Sequence, residues 1–266
     1  MRGELRIGMT ELRKAATETG ATALQPPGLA CSIASMDQPP FNWFNPRKAV
    51  RVYRGNLPHW RQDGCLYFLT FRLADSIPHG ILAQWEGERR TWLEAHGIKG
   101  YPDSPHWKPE FDRLPEKARH LFRRMNARRL FSELDRCRGE CLLRSKDAQR
   151  ILAEGIRHFD GDRWHVGDFV VMPNHVHALV QVLGDHELEN TLYSVKRFSA
   201  RKINEAQGRK GRFWQKEYYD HIVRDRAELH RIRTYIESNP SKAGLGESEF
   251  VYSRASWLTE VVAVDL

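Results

Sequence analysis

The run Val170-Val171-Met172-Pro173-Asn174-His175-Val176-His177-Ala178-Leu179-Val180 limits what this chain can fold into more than any other stretch. Apolar residues lie on both sides of the Pro-Asn pair. They read as two strands, Trp164 to Met172 and His175 to Leu183, joined tightly enough to form an antiparallel hairpin. Side chains two apart on a strand share a face, so His175 and His177 project together from a rigid element. Two packed, hydrogen-bonded core histidines would satisfy this pattern. So would two imidazoles sharing one metal ion, and residues further along the chain favour the metal.

The other periodicities arrange themselves around the hairpin. Cys65 to Leu73 is aromatic and β-branched, the composition of a strand. Ile81 to His96 reads as an amphipathic helix with Ile81, Leu82, Trp85, Trp92 and Leu93 on its apolar side, and Pro102 to Pro115 as a loop broken by Pro105 and Pro109. Glu116 to Leu134 is a second helix, dense in arginine. A helix follows from about Asp147 to Phe159, then a turn at Asp160-Gly161-Asp162. Beyond the hairpin, Glu187 to Glu205 is helical, with Leu188, Leu192, Val195, Phe198 and Ile203 on its buried side. Tyr218 to Arg224 is a short strand, and a last helix starts at Asp225 as N-cap and is stopped by Pro240.

The order is β-α-β-β-α-β, the ferredoxin-like split. The expected fold is α+β: an antiparallel sheet with helices on one face, and a helical insertion at about 76–135 after the first strand. Loop signals at Gln25-Pro26-Pro27-Gly28 and Gln38-Pro39-Pro40 make 1–50 a poorly structured leader. One domain spans 51–246, and 247–266 is a tail.

Charge supplies the partner class. The chain nets +8, and residues 191–235 hold 12 Lys or Arg against 5 Asp or Glu, 12 − 5 = +7 of that total. An excess concentrated just after the histidine strand suits a polyanion such as nucleic acid. Candidate contacts are Arg54, Lys196, Arg197, Arg201, Lys202 and Arg212, with Trp214 as a stacking platform. The basic, aromatic stretch from Arg51 to Arg61 is either such a surface or an ordinary segment anchored by Trp60. Arg119, Arg123, Arg124, Arg128 and Arg129 read equally as a solvated face and as an extension of a nucleic-acid surface. Cys31, Cys65, Cys137 and Cys141 match no zinc-ribbon spacing and read as reduced thiols. No run approaches a transmembrane span or a signal sequence, so the expectation is a soluble cytoplasmic protein.

The last helix carries Tyr235 and Asn239, four residues apart and therefore on one face. If that face looks at the histidine strand, Asn239 offers an oxygen ligand and Tyr235 lies beside the metal. Two imidazoles, an amide oxygen and open positions for phosphate oxygens suit Mg²⁺ or Mn²⁺, and the ligand types also accommodate Zn²⁺. Attack by Tyr235 on a phosphodiester would form a phosphotyrosine ester, release a 3′-hydroxyl and conserve a bond that can be resealed. The alternative for Tyr235 is an ordinary half-buried helix tyrosine. Tyr218 and Tyr219 are rival nucleophiles, on a strand with no ligand-type residue one turn away.

Taken together the motifs resemble the REP-associated tyrosine transposases, the single-tyrosine branch of the HUH endonucleases related to single-strand insertion-sequence transposases. The residues that carry the resemblance are Asn56-Leu57-Pro58-His59-Trp60, Tyr67 to Leu73, Val171 to His177, Phe213-Trp214-Gln215, Asp220 to Arg224 and Tyr235 to Gly244. It covers about 52–75 and 140–246, and the insertion and leader depart from it. The resemblance implies a ferredoxin-like fold, a divalent metal on His175 and His177 with Asn239 as third ligand, and Tyr235 as nucleophile. It also implies single-stranded DNA with a nearby hairpin as substrate, and either a monomer or a homodimer. Two readings from other classes stay open: a non-catalytic, structure-specific nucleic-acid binder, and a metal phosphodiesterase that uses water in place of tyrosine.

Overall fold

A computed structural model of the protein describes residues 40–54, 58–104 and 106–262. The leader as far as residue 39, and Asn56 and Leu57 of the resemblance, lie outside the described residues. In chain order the elements are β1 (Arg51–Arg54), β2 (Pro58–Arg61), β3 (Leu66–Arg72), α1 (His79–Ala95), α2 (Trp107–Arg113), α3 (Glu116–Leu134), α4 (Lys146–Arg157), β4 (Trp164–Val171), β5 (His175–Val182), α5 (Leu188–Ala206), β6 (Tyr219–Ile222), α6 (Arg226–Lys242), β7 (Val251–Ser253) and α7 (Trp257–Val262).

Five strands form one antiparallel sheet in the order β6-β3-β5-β4-β7. Its first four strands have the spatial order of the ferredoxin-like split, with β3 and β5 at the centre. The mixed α+β, antiparallel expectation therefore holds. The helices, however, cover both faces rather than one. Strand alternation sends Tyr67, Leu69, Phe71, Val176, Ala178 and Val180 into a core with Leu152 and Ile156 of α4 and Leu192 and Val195 of α5. The alternate residues Leu66, Phe68, Val170 and Leu179 pack with Leu229 and Ile236 of α6 and Leu258 of α7. The reason is that β4 and β5 are buried at almost every position and carry apolar residues on both faces, so neither face is suited to water.

Sequence expectations fail at two further places, the loop 102–115 and Pro240, while the tail from Phe250 on is ordered packing as its residues suggest. Within the expected loop 102–115, residues Trp107–Arg113 form the short helix α2, and Phe111 buries into a small cluster with Leu93 and Ile98. Pro240 does not end α6 but lies within it. It sits close to the helix end, where the carbonyls of Asn239 and Pro240 are used by the N–H groups of Ala243 and Leu245. The tail contributes structure: β7 extends the sheet beside β4, and α7 packs on its α6 face. Among residues 40–50, which carry no helix or strand, Phe41 is buried in that same core.

A β-bulge in β4 between Val166 and Phe169 anchors these C-terminal elements. At Gly167 any Cβ would lie 2.7 Å from Leu258 Cδ1 and 2.8 Å from Leu179 Cβ, so only glycine lets Leu258 seat there. Asp168 follows, buried, and accepts from Arg233 Nε at 2.8 Å and from the Ala255 N–H at 2.8 Å. Arg233 in turn donates to the Leu258 carbonyl at 2.7 Å. One ion pair thus ties β4, α6 and α7 together. Asp168→Asn leaves the Arg233 charge buried without a full partner and should lower stability by about 3 kcal/mol. Urea unfolding checks this, and an Asp168→Leu/Arg233→Met double variant should recover much of the loss.

Candidate active site

The β3–β5 register sets Thr70 directly across from His177 and Arg72 across from His175. Both histidines are fully buried and face α6, with their Nε2 atoms 3.0 Å apart. Burial pushes His175 down to about 3 and, together with the neighbouring His175, holds His177 well below the ordinary imidazole value. Phe68 stacks on His177, and Phe131 of α3 meets it edge-on. The pair is therefore neutral at physiological pH, the state a metal requires.

The hydrogen bonds assign most of the protons. Asn174 Nδ2 donates to the Arg138 carbonyl at 2.9 Å, which turns its Oδ1 toward His175 Nδ1 at 2.6 Å. His175 therefore carries its proton on Nδ1 and presents a lone pair at Nε2. His177 Nδ1 lies 2.7 Å from Thr70 Oγ1. A hydroxyl can give or take there, so His177 can hold its proton on Nε2, shared with His175, or on Nδ1 with Nε2 free.

The sequence-level candidates on α6 do reach this pair. Tyr235 places its hydroxyl 3.2 Å from His177 Nε2, and one turn later Asn239 is fully buried. Among the described residues neither rival tyrosine hydrogen-bonds to the histidines. Tyr218 stacks on His59 and accepts from Arg61 Nη2 at 3.0 Å, and Tyr219 packs on Phe131.

One residue that sequence reasoning passed over completes the group. Asp135, at the C-cap of α3, accepts from the Tyr235 hydroxyl at 3.0 Å and from Asn239 Nδ2 at 2.9 Å. Its carboxylate and the two imidazoles offer ligand atoms that all lie within 4.8 Å of one another. Among the described residues Asn239 Oδ1 is buried with no hydrogen-bond partner, an acceptor open to an added ligand. Two imidazole nitrogens, a carboxylate and an orphan amide oxygen fit a divalent metal ion. Burial and the adjacent Asp135 charge push the Tyr235 phenol well above its ordinary value, so without a nearby cation it stays protonated. A clue to Asp135 was present in the sequence: a carboxylate at a helix C-terminus opposes the helix dipole, and such a cost calls for a reason elsewhere.

The nucleic-acid candidates divide. Arg197, Arg201, Lys202 and Arg212 are exposed. Lys196 is half-buried and bonded to backbone carbonyls. The side chain of Arg54 lies outside the described residues. Trp214 is not a stacking platform: it is 6% exposed, meets Phe71 edge-on, and donates its indole N–H to Ser199 Oγ. Its apolar neighbours at the end of β3 draw it into the core despite the basic residues beside it in sequence.

Residues 138–239 match the family model described as "Transposase IS200 like". That stretch is similar to the IS200-like transposases. It includes both histidines, Tyr235 and Asn239, and begins just after Asp135. An uncharacterized protein of Haemophilus influenzae is 30% identical over 96 residues, covering 28% of this chain and 53% of that protein. The chain thus spans about half the length of the curated relative it matches. A solved structure described as a REP-associated tyrosine transposase bound to a REP hairpin has a TM-score of 0.37 and 14% identity, over 73% of this chain and 75% of that one. None of the helices among the described residues is long and apolar enough to cross a membrane.

Two outcomes follow from the proton assignments. Thr70→Val removes the acceptor for a proton on His177 Nδ1 and should weaken Mn²⁺ affinity about tenfold, whereas Thr70→Ser should preserve it. Titration calorimetry reads both. In EDTA, the unfolded imidazoles take up protons near the ordinary value of about 6.5, while the folded pair resists. Stability should therefore be constant above about pH 7 and fall by several kcal/mol, in order of magnitude, between about pH 6.5 and 3. Urea midpoints measured across that range should show the fall, and His175→Gln should reduce it.

Proposed function

We propose that this chain is a metal-dependent, single-stranded DNA endonuclease and strand transferase that works through a phosphotyrosine at Tyr235, at hairpin-associated sites of the REP type. The observation that carries the reading is the position of the Tyr235 hydroxyl, 3.2 Å from His177 Nε2 and 3.0 Å from Asp135 Oδ1. The match of residues 138–239 to the IS200-like transposase model supports strand transfer, and the sequence resemblance supports the single strand and the hairpin.

His175, His177 and Asp135 would hold the ion, with Asn239 Oδ1 as a further ligand. Bound there, Mg²⁺ or Mn²⁺ supplies charge neutralisation on the non-bridging oxygens of the scissile phosphate. Tyr235 Oη attacks phosphorus as its proton moves toward Asp135 Oδ1, to which it already donates. The bond from Oη to phosphorus forms, the bond to the 3′ oxygen breaks, and the 3′ oxygen leaves as a hydroxyl after taking up a proton. The phosphotyrosine can then be reopened by another 3′-hydroxyl, which rejoins strands without an external energy source.

The test uses labelled single-stranded hairpins taken from the neighbourhood of the chain's own gene, with Mn²⁺, resolved on a denaturing gel. A metal-dependent protein–DNA adduct should form with the wild type and be absent with Tyr235→Phe. Asp135→Asn should reduce adduct formation at least a hundredfold, an order-of-magnitude expectation for removing a charged ligand and proton acceptor together. Cleavage without adduct, unchanged in Tyr235→Phe, would show a water-using phosphodiesterase instead. Tight binding with neither product would show a binding protein.

A further inference from the structure

Where the segment from Arg212 to Lys216 crosses the end of β3, three cations gather with no ion pair to a carboxylate among the described residues. The Gln215 N–H donates to the Arg72 carbonyl at 2.9 Å and the Ala74 N–H to the Phe213 carbonyl at 2.9 Å, which lays the segment along the strand end. Lys196 of α5 directs Nζ to the Gln215 and Lys216 carbonyls at 2.7 and 3.1 Å. Arg212 Nε donates to the Trp214 carbonyl at 3.0 Å. Arg72 gives Nη1 to Ser76 Oγ at 3.0 Å, its one side-chain hydrogen bond among the described residues. Arg72 and Lys196 are half-buried, and Arg212 is exposed at the rim.

Elsewhere the fold pairs its buried cations. Arg61 meets Asp220 and Glu189, and Arg233 meets Asp168. Among the described residues none of Arg72, Lys196 and Arg212 forms an ion pair. Burial, with Arg212 nearby, pushes Arg72 down to about 10. Burial also pushes Lys196 down to about 8, opposed by Glu217 and reinforced by Arg212 and Arg72. Like charges gathered in a partly dry site are unfavourable until an anion joins them. The unused edge of a guanidinium and the remaining proton of an ammonium suit phosphate oxygens. The place is also significant, because Arg72 is the register partner of His175 and starts from the same face of the sheet.

We propose that Arg72, Lys196 and Arg212 form a subsite for one phosphodiester group of the DNA strand, separate from the phosphate at Tyr235. The inference rests on the reading that the chain acts on single-stranded DNA. A phosphate held here fixes the strand lengthwise and selects which linkage lies against Tyr235.

The experiment is fluorescence anisotropy of the full chain with a labelled single-stranded oligonucleotide in EDTA, across a range of salt. Arg72→Gln should weaken binding about tenfold and lower the logarithmic salt slope by about 0.7, the single-strand value for one phosphate contact. Arg72→Lys should keep the slope, and loss of the exposed α4 charge in Lys146→Gln should change neither. A single neutral methylphosphonate linkage, walked through the oligonucleotide, should weaken wild-type binding at one position and leave Arg72→Gln unaffected there. If Arg72→Gln does not fold, the walk on wild-type protein decides alone. The subsite is overturned if the wild type binds but Arg72→Gln and Lys196→Gln behave like Lys146→Gln, or if no position in the walk stands out; the single-strand reading then survives. Failure of the wild type to bind single strands at low salt overturns both.

Discussion

A carboxylate brought against two neutral imidazoles is the constraint around which this molecule is arranged. Asp135 lies at the end of the helix that closes a sixty-residue excursion, roughly 76–135, from the sheet. Its carboxylate receives Tyr235 and Asn239 from α6 while facing the histidines of β5. The loop after it gives the Arg138 carbonyl to Asn174, and that bond fixes the tautomer of His175. The excursion is therefore part of the site. It supplies a ligand-type oxygen, an aromatic wall through Phe131, and the anchor of the turn that aims the first histidine.

Much of this was legible in the sequence, for identifiable reasons. A strand has a period of two, so His175 and His177 had to share a face, and a helix places Tyr235 and Asn239 on one side. Both relations are local and survive any tertiary arrangement. Asp135 is joined to the site only through long-range packing, forty residues before the histidines in an arginine-rich helix with no clear apolar stripe. No spacing rule reaches it. Nearby Glu133 could as well have been chosen, yet it takes Arg136 and Arg138 as partners.

The misreadings share a cause. Trp214 sits among basic neighbours in sequence, whereas its surroundings in space are Phe71 at the end of β3 and Ser199 of α5. Helices on a single face were inferred from element order, but the apolar residues on both sides of β4 and β5 already required two covers. In the sequence Pro240 reads as a stop because its missing N–H breaks the helix ladder. Near the end of a helix that loss matters less, since the remaining carbonyls find other donors.

The clamp at Asp168 and Arg233 bears on how a strand could be exchanged. Arg233 sits two residues before Tyr235, its guanidinium fixed to the sheet and to α7, while Leu229 and Ile236 of the same helix are fully buried. A helix held at these points has little freedom to swing. DNA esterified to Tyr235 would then stay where it was cut, and rejoining would depend on the second strand end travelling to a stationary tyrosine. The moving part of such a reaction is the nucleic acid, and its rate would be governed by how far that end must diffuse or fold back.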